Sequence, residues 1–239
     1  MNYLKKIRIV VRERGWKELF IRSWNHLKRK ILTCGDLMFD IRYGVNTCGE
    51  KSILDLDIDD SLKSSSSNYE PSPVKVIRTM LEMLSINHPE FTFIDFGSGK
   101  GRVLLLASEY SYKKTIGVEL SPSLHKTTQD NIRRWKSPSQ RCFDIESQNM
   151  NAIEFELPVE PLVLFFFTPF WGPVFAKIVN KIRIHLRNNK LPIYILYYGR
   201  KQENIDKIRE LNLDYERINL KYTFSATGKF EAHLFFSSV

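Results

Sequence analysis

The chain has 239 residues, 43% hydrophobic and 26% charged, which is long enough for one sizeable core and too apolar for overall disorder. Its net charge of +9 is uneven: residues 1–33 hold ten basic and two acidic side chains, so +8 lies there and the remainder is close to neutral. Three cysteines (Cys34, Cys48, Cys142) lack ligand-like spacing, which argues against a disulfide framework or a metal site. No apolar run is long enough for a membrane span and no secretory signal pattern is present, so a soluble cytoplasmic protein is expected.

Residues 3–32 read as a basic amphipathic helix, broken near Gly15, with Trp16, Phe20, Trp24, Leu27 and Ile31 on one stripe. The stretch 33–68 has no sustained period. It contains an acidic cluster (Asp55, Asp57, Asp59, Asp60) and ends in a four-serine run, so it is expected to be a partly ordered connection leading into a mobile loop. Val74, Ile77, Leu81 and Leu84 then predict a helix, and residues 91–96 a short apolar strand running into a glycine-rich turn. A helix is predicted from Arg102, a strand over 115–119, a helix over 122–135 and a third strand within 141–150. Residues 161–167 are wholly apolar, as in a strand buried on both faces. A helix over 173–186, a strand over 192–198 and a polar helix over 201–211 follow. Residues 215–224 and 230–236, joined by a glycine-containing loop, predict an antiparallel hairpin. Strands alternating with helices of this length imply a doubly wound parallel sheet that the closing hairpin makes mixed.

The chemistry concentrates in Asp95-Phe96-Gly97-Ser98-Gly99-Lys100-Gly101-Arg102, directly after the first strand. Three alternate glycines let the backbone turn sharply and approach a ligand without a Cβ in the way. The following helix points its free N–H groups at the crevice. Glu119 ends the second strand 22 residues after Gly97, where a carboxylate can accept hydrogen bonds from ribose hydroxyls. The spacing is Gly-x-Gly-x-Gly, whereas a dinucleotide loop reads Gly-x-Gly-x-x-Gly.

This pattern resembles the class I S-adenosylmethionine-dependent methyltransferases. The extended form Asp-x-Gly-Ser-Gly-x-Gly-Arg, preceded by Tyr69-Glu70-Pro71-Ser72-Pro73, is similar to the branch with seven-strand protein-lysine methyltransferases and related bacterial proteins. The resemblance covers residues 69–239. It implies an α/β, Rossmann-like, doubly wound mixed seven-stranded sheet, with a C-terminal antiparallel hairpin and an N-terminal helical arm. The organisation expected is an arm over 1–33, a connecting or lid segment over 34–68 and a catalytic domain over 69–239.

The resemblance also implies roles for the cofactor S-adenosyl-L-methionine. Asp95 and the backbone of Gly97, Ser98 and Gly99 would surround its methionine part, under Tyr69, and Gly101 would let helix pack closely on strand. Glu119 would hold the ribose, Leu120 would lie beside the adenine, and Asn151-Ala152 would face the adenine amino group, with the amide oxygen of Asn151 as acceptor. Thr168-Pro169-Phe170 stands where amino-group methyltransferases carry an Asn/Asp-Pro-Pro-aromatic run, which makes these three candidates for positioning the substrate. None of the five histidines is assigned as a base.

The methyl acceptor is open between a protein lysine and a small molecule or glycan. Two rival readings are a non-catalytic cofactor-binding protein and an NAD(P)-dependent oxidoreductase. Residues 1–33 have three readings: packing on the domain as a lid, contact with an anionic membrane surface, or binding of nucleic acid or another acidic partner.

Overall fold

A computed structural model describes residues 36–220 and 230–237; the arm over 1–33 lies outside the described residues. Seven strands form one sheet: β1 Thr92–Phe96, β2 Lys114–Glu119, β3 Ile145–Asn149, β4 Leu162–Phe166, β5 Ile193–Gly199, β6 Asp214–Ile218 and β7 Glu231–Phe236. Their order is β3-β2-β1-β4-β5-β7-β6. Strands β1 to β5 pair in parallel, and β7 lies antiparallel between β5 and β6. The mixed sheet therefore has the form expected from the alternating strands and the terminal pair.

Helices are α1 (residues 36–43), α2 Asp60–Lys63, α3 Val74–Glu82, α4 Arg102–Ala107, α5 Pro122–Arg134, α6 Gly172–Asn189 and α7 Gln202–Arg209. The pleat divides the core in two, because successive side chains of a strand point to opposite faces. Phe93, Val163, Phe165 and Leu196 pack on one face with Ile77, Met80 and Leu81 of α3. Ile94, Phe96, Leu164 and Ile195 pack on the other with Phe175 and Ile178 of α6 and Ile205 of α7. Every residue of β1 and β4 is buried, so this central parallel pair forms the floor of the site. The sheet edges are polar: β3 carries Glu146, Gln148 and Asn149, and β6 carries Asp214, Glu216 and Arg217, which blunts pairing with other chains.

The described part of the 33–68 stretch, residues 36–68, is more ordered than its sequence suggests. It contains α1, whose Phe39 and Tyr43 lie against Trp135 at ring-centroid distances of 5.6 and 4.6 Å. The serine run, expected as a mobile loop, instead pairs antiparallel with the β4–α6 loop through a Ser66–Phe170 bridge. The Ser67 N–H donates to the Pro169 carbonyl at 3.1 Å, and the Trp171 N–H donates to the Ser65 carbonyl at 3.2 Å.

Candidate active site

The glycine turn sits where β1 hands over to α4. Gly97, Gly99 and Gly101 have φ of 77°, 58° and 82°, the left-handed region that favours glycine. The space their missing Cβ atoms leave is filled by protein. A Cβ on Gly97 would lie 2.4 Å from Pro169 Cβ, one on Gly99 2.4 Å from the Tyr69 ring, and one on Gly101 2.6 Å from Thr128 Cγ2. The sequence reading gave that space to a ligand, and gave Gly101 to helix-on-strand contact. The structure uses the first to seat the β4–α6 loop, the second to seat Tyr69 of the cover and the third to seat α5.

Two carboxylates flank the turn. Glu119 Oε2 accepts from the Gly99 N–H at 2.7 Å, and Oε1 accepts from the Ser121 N–H at 2.8 Å. Burial pushes its pKa up to about 7, against which these backbone donors pull down. Asp95, at the end of β1, is 2% exposed. Burial and then the neighbouring Glu119 push its pKa well above the ordinary range. No donor among the described residues hydrogen-bonds the Asp95 carboxylate, and the buried Ser98 hydroxyl also lacks a partner. Buried polar groups without partners are rare, because each forfeits its hydration.

Both groups line a cavity of about 510 Å³, within the size range of cofactor sites. Its cover comes from the 45–71 segment. Tyr69 lies on Gly99, donates its hydroxyl to the Thr47 carbonyl at 2.7 Å, and has Lys100 Nζ 5.2 Å from its ring centroid. Arg102 holds the base of that cover. Its Nη1 pairs with Asp36 at 2.9 Å and donates to the Ser72 carbonyl at 3.0 Å, while Nε donates to Thr47 Oγ1 at 2.7 Å. Asp40 accepts from the Thr47 and Cys48 N–H groups, both at 2.7 Å. On the far side Asp57 caps α5, accepting from the Ser123 N–H at 2.9 Å and from the hydroxyls of Ser121 and Ser123. Leu56, Ile58 and Leu62 between these anchors face the cavity.

Leu120, Asn151 and Ala152 also line the cavity, past the ends of β2 and β3. The Asn151 side-chain oxygen accepts from the Ile153 N–H at 3.0 Å, so one of its two lone pairs is already used in its own turn. Past β4, Thr168 adopts a φ of 38° that is uncommon for a β-branched residue. It fits because Gly199 lies opposite: a Cβ there would come within 2.0 Å of Thr168 Oγ1. The Thr168 hydroxyl donates to the Tyr198 carbonyl at 3.2 Å. The carbonyls of Thr168, Pro169 and Phe170 accept from Ser67 Oγ, the Ser67 N–H and Asn204 Nδ2. Phe170 is buried among Phe166 and Phe175.

The structure thus brings Tyr69, Asp95, Gly97, Ser98, Gly99, Glu119, Leu120, Asn151, Ala152 and the 168–170 run around one cavity, with Gly101 just behind the turn. Sequence reasoning missed Arg102 as the clasp, Thr47 and Ser72 as its partners, Asp57 as a cap, and Trp171 and Lys201 on the wall. Arg102 was in the quoted motif, and Asp57 in the acidic cluster; their partners lie too far along the chain to be read from spacing. Among the described residues no group of His, Cys, Asp and Glu side chains could hold a metal ion. None of the described helices is long and apolar enough to cross a membrane.

The fold, a seven-stranded mixed sheet with Asp95, the glycine turn and Glu119 grouped past β1 and β2, is the one that the resemblance to class I S-adenosylmethionine-dependent methyltransferases implies. Residues 60–156 match the family described as "Histone methylation protein DOT1". That match runs from α2 past β3, under half of the chain, and stops before β4. A protein-lysine N-methyltransferase of Saccharolobus islandicus (strain REY15A) is 33% identical over 67 residues, covering 28% of this chain and 41% of that protein. The matched part thus spans well under half of that relative's length. An RNA methyltransferase from Salinibacter ruber, solved with S-adenosyl-L-homocysteine, superposes with a TM-score of 0.46 at 16% identity over 70% of this chain and 93% of that one. A precorrin-6y C5,15-methyltransferase from Geobacter metallireducens GS-15 gives 0.49 at 14% identity over 76% and 92%.

Proposed function

We propose that the protein is an S-adenosylmethionine-dependent protein-lysine N-methyltransferase. The observation that carries the cofactor part is the pair of buried acids around the glycine turn, with Asp95 and the Ser98 hydroxyl lacking protein partners at the cavity wall. These residues fit the cofactor: Asp95 and Ser98 would hold its cationic methionine part, Glu119 its ribose, and Leu120, Asn151 and Ala152 its adenine. Supporting the lysine part are the family match over 60–156 and the lysine methyltransferase relative.

The bound cofactor supplies an already activated methyl group, so the protein contributes chiefly by alignment and exclusion of water. Asp95 and Glu119 hold one end of the site. Tyr69, Leu56, Ile58 and Leu62 cover it, and the wall over 168–171 places the acceptor opposite. Thr168 and Pro169 shape that wall, and Phe170 anchors it in the core. The acceptor amine must lose its proton before it attacks the methyl group.

The test is calorimetry with S-adenosyl-L-homocysteine on the full chain, followed by radiolabelled methyl transfer into a cell lysate. Binding that weakens at least tenfold in Asp95→Ala and Glu119→Ala supports the cofactor assignment, and binding unchanged by both sinks it. Label recovered as methyl-lysine in protein supports the acceptor class. Label found only in small molecules or glycans overturns it.

A further inference from the structure

The acceptor half of the cavity has a charge of its own. The charged side chains on that part of the wall are Lys63, Glu70, Arg200 and Lys201, whereas Asp95 and Glu119 belong to the cofactor end. Lys63 is offset by Asp60 at 2.8 Å. Lys201 makes no ion pair among the described residues; its Nζ stands 4.4 Å from the centroid of the Trp171 ring. Trp171 is itself tied to Ser65 through its backbone N–H. An ammonium held over an indole face is a placed charge, not one swinging on a flexible stem. Arg200, its neighbour, lies over Phe230 at 5.5 Å and extends the same cationic, aromatic wall.

With Lys63 offset by Asp60 and Glu70 counted against Arg200, the placed charge of Lys201 leaves this wall net positive, which disfavours a bare lysine ammonium. A lysine with carboxylates beside it would be drawn to it, and the same nearby cations would favour the neutral, nucleophilic form of its amine. The sequence adds charge of the same sign, since residues 1–33 carry +8, which steers acidic partners toward the protein. We infer that the methyl acceptor is an acidic protein segment, a lysine flanked by Asp or Glu, read by Lys201 over Trp171 with Arg200 beside it. This deepens the protein-lysine reading and rests on it.

The experiment measures kcat/KM on the full chain with three peptide sets: lysine flanked by Asp/Glu, by Asn/Gln, or by Lys/Arg. The acidic set is expected to exceed the amide set by about three- to tenfold, with the gap shrinking as salt rises. Lys201→Met should flatten the ranking and Lys201→Glu should invert it, while affinity for S-adenosyl-L-homocysteine stays at the wild-type value as a check on folding. Transfer without an acidic preference, or a ranking unchanged in Lys201→Glu, overturns this inference alone. Transfer to no peptide while S-adenosyl-L-homocysteine still binds overturns the protein-lysine reading and this inference with it.

Discussion

The two halves of the cavity handle their polar groups in opposite ways. At the cofactor end Asp95 and Ser98 are buried without protein partners, and Glu119 is held near its ionisation point. At the acceptor end the Thr168 hydroxyl and the carbonyls over 168–170 are all taken up by Tyr198, Ser67 and Asn204. The first half leaves polar groups unpaired, as the proposed cofactor would require. The second is closed on itself and presents mostly charge and aromatic surface.

The contrast can be broken from either side. Arg102→Met should have the largest effect, because it strands Asp36 and Asp40 without their buried cation at a cost of about 3–5 kcal/mol. Chemical denaturation should show that loss, and calorimetry a parallel loss of cofactor affinity, since Thr47 and Tyr69 hang from the same clasp. Gly97→Ala joins the halves: its Cβ would meet Pro169 at a backbone φ of 77°, so a loss of about 3 kcal/mol is expected. If that variant kept wild-type stability, Pro169 would not be seated on the turn.

Next comes pH. The Glu119 pKa is raised from 4.5 to about 7 in the fold, so the unfolded chain ionises it first. Stability of the ligand-free protein should therefore fall as pH climbs through that window, by on the order of 3 kcal/mol. Affinity for S-adenosyl-L-homocysteine should move the other way, rising with pH as Glu119 ionises, because the ionised carboxylate is the better acceptor for hydroxyls. Titration calorimetry across the range reads both slopes, and a flat affinity profile would remove Glu119 from the ribose. The smallest effect is expected for Ser67→Ala, which frees one carbonyl of the closed half, that of Thr168, and should cost about 1 kcal/mol in denaturant with cofactor affinity unchanged.

The cofactor half was readable in the sequence because its geometry demands particular residues. Left-handed φ at 97, 99 and 101 calls for glycine, and a carboxylate at the end of β2 falls at a fixed spacing. Helix α1 was hard to read because apolar and acidic residues share its inner face. Phe39 and Tyr43 pack inward beside the buried Asp36 and Asp40, while Leu37, Met38 and Ile41 are exposed, so the apolar period is blurred. The serine run was misread for a different reason: it pairs through backbone groups, which leave no mark on side-chain pattern. Thr168 hides a left-handed turn behind a β-branched residue, and the clue, Gly199, lies on another strand.

Strand β7 is inserted between β5 and β6, so β5 gains its second neighbour only from residues 231–236, after β6 has already been made. Until then the row Ile193–Gly199, apolar and aromatic along most of its length, is an open edge with unpaired backbone groups. During synthesis the chain thus carries a hazard that grows with the time between emergence of β5 and arrival of β7. Slow translation across residues 200–230 should favour association between nascent chains over folding, whatever the stability of the finished protein.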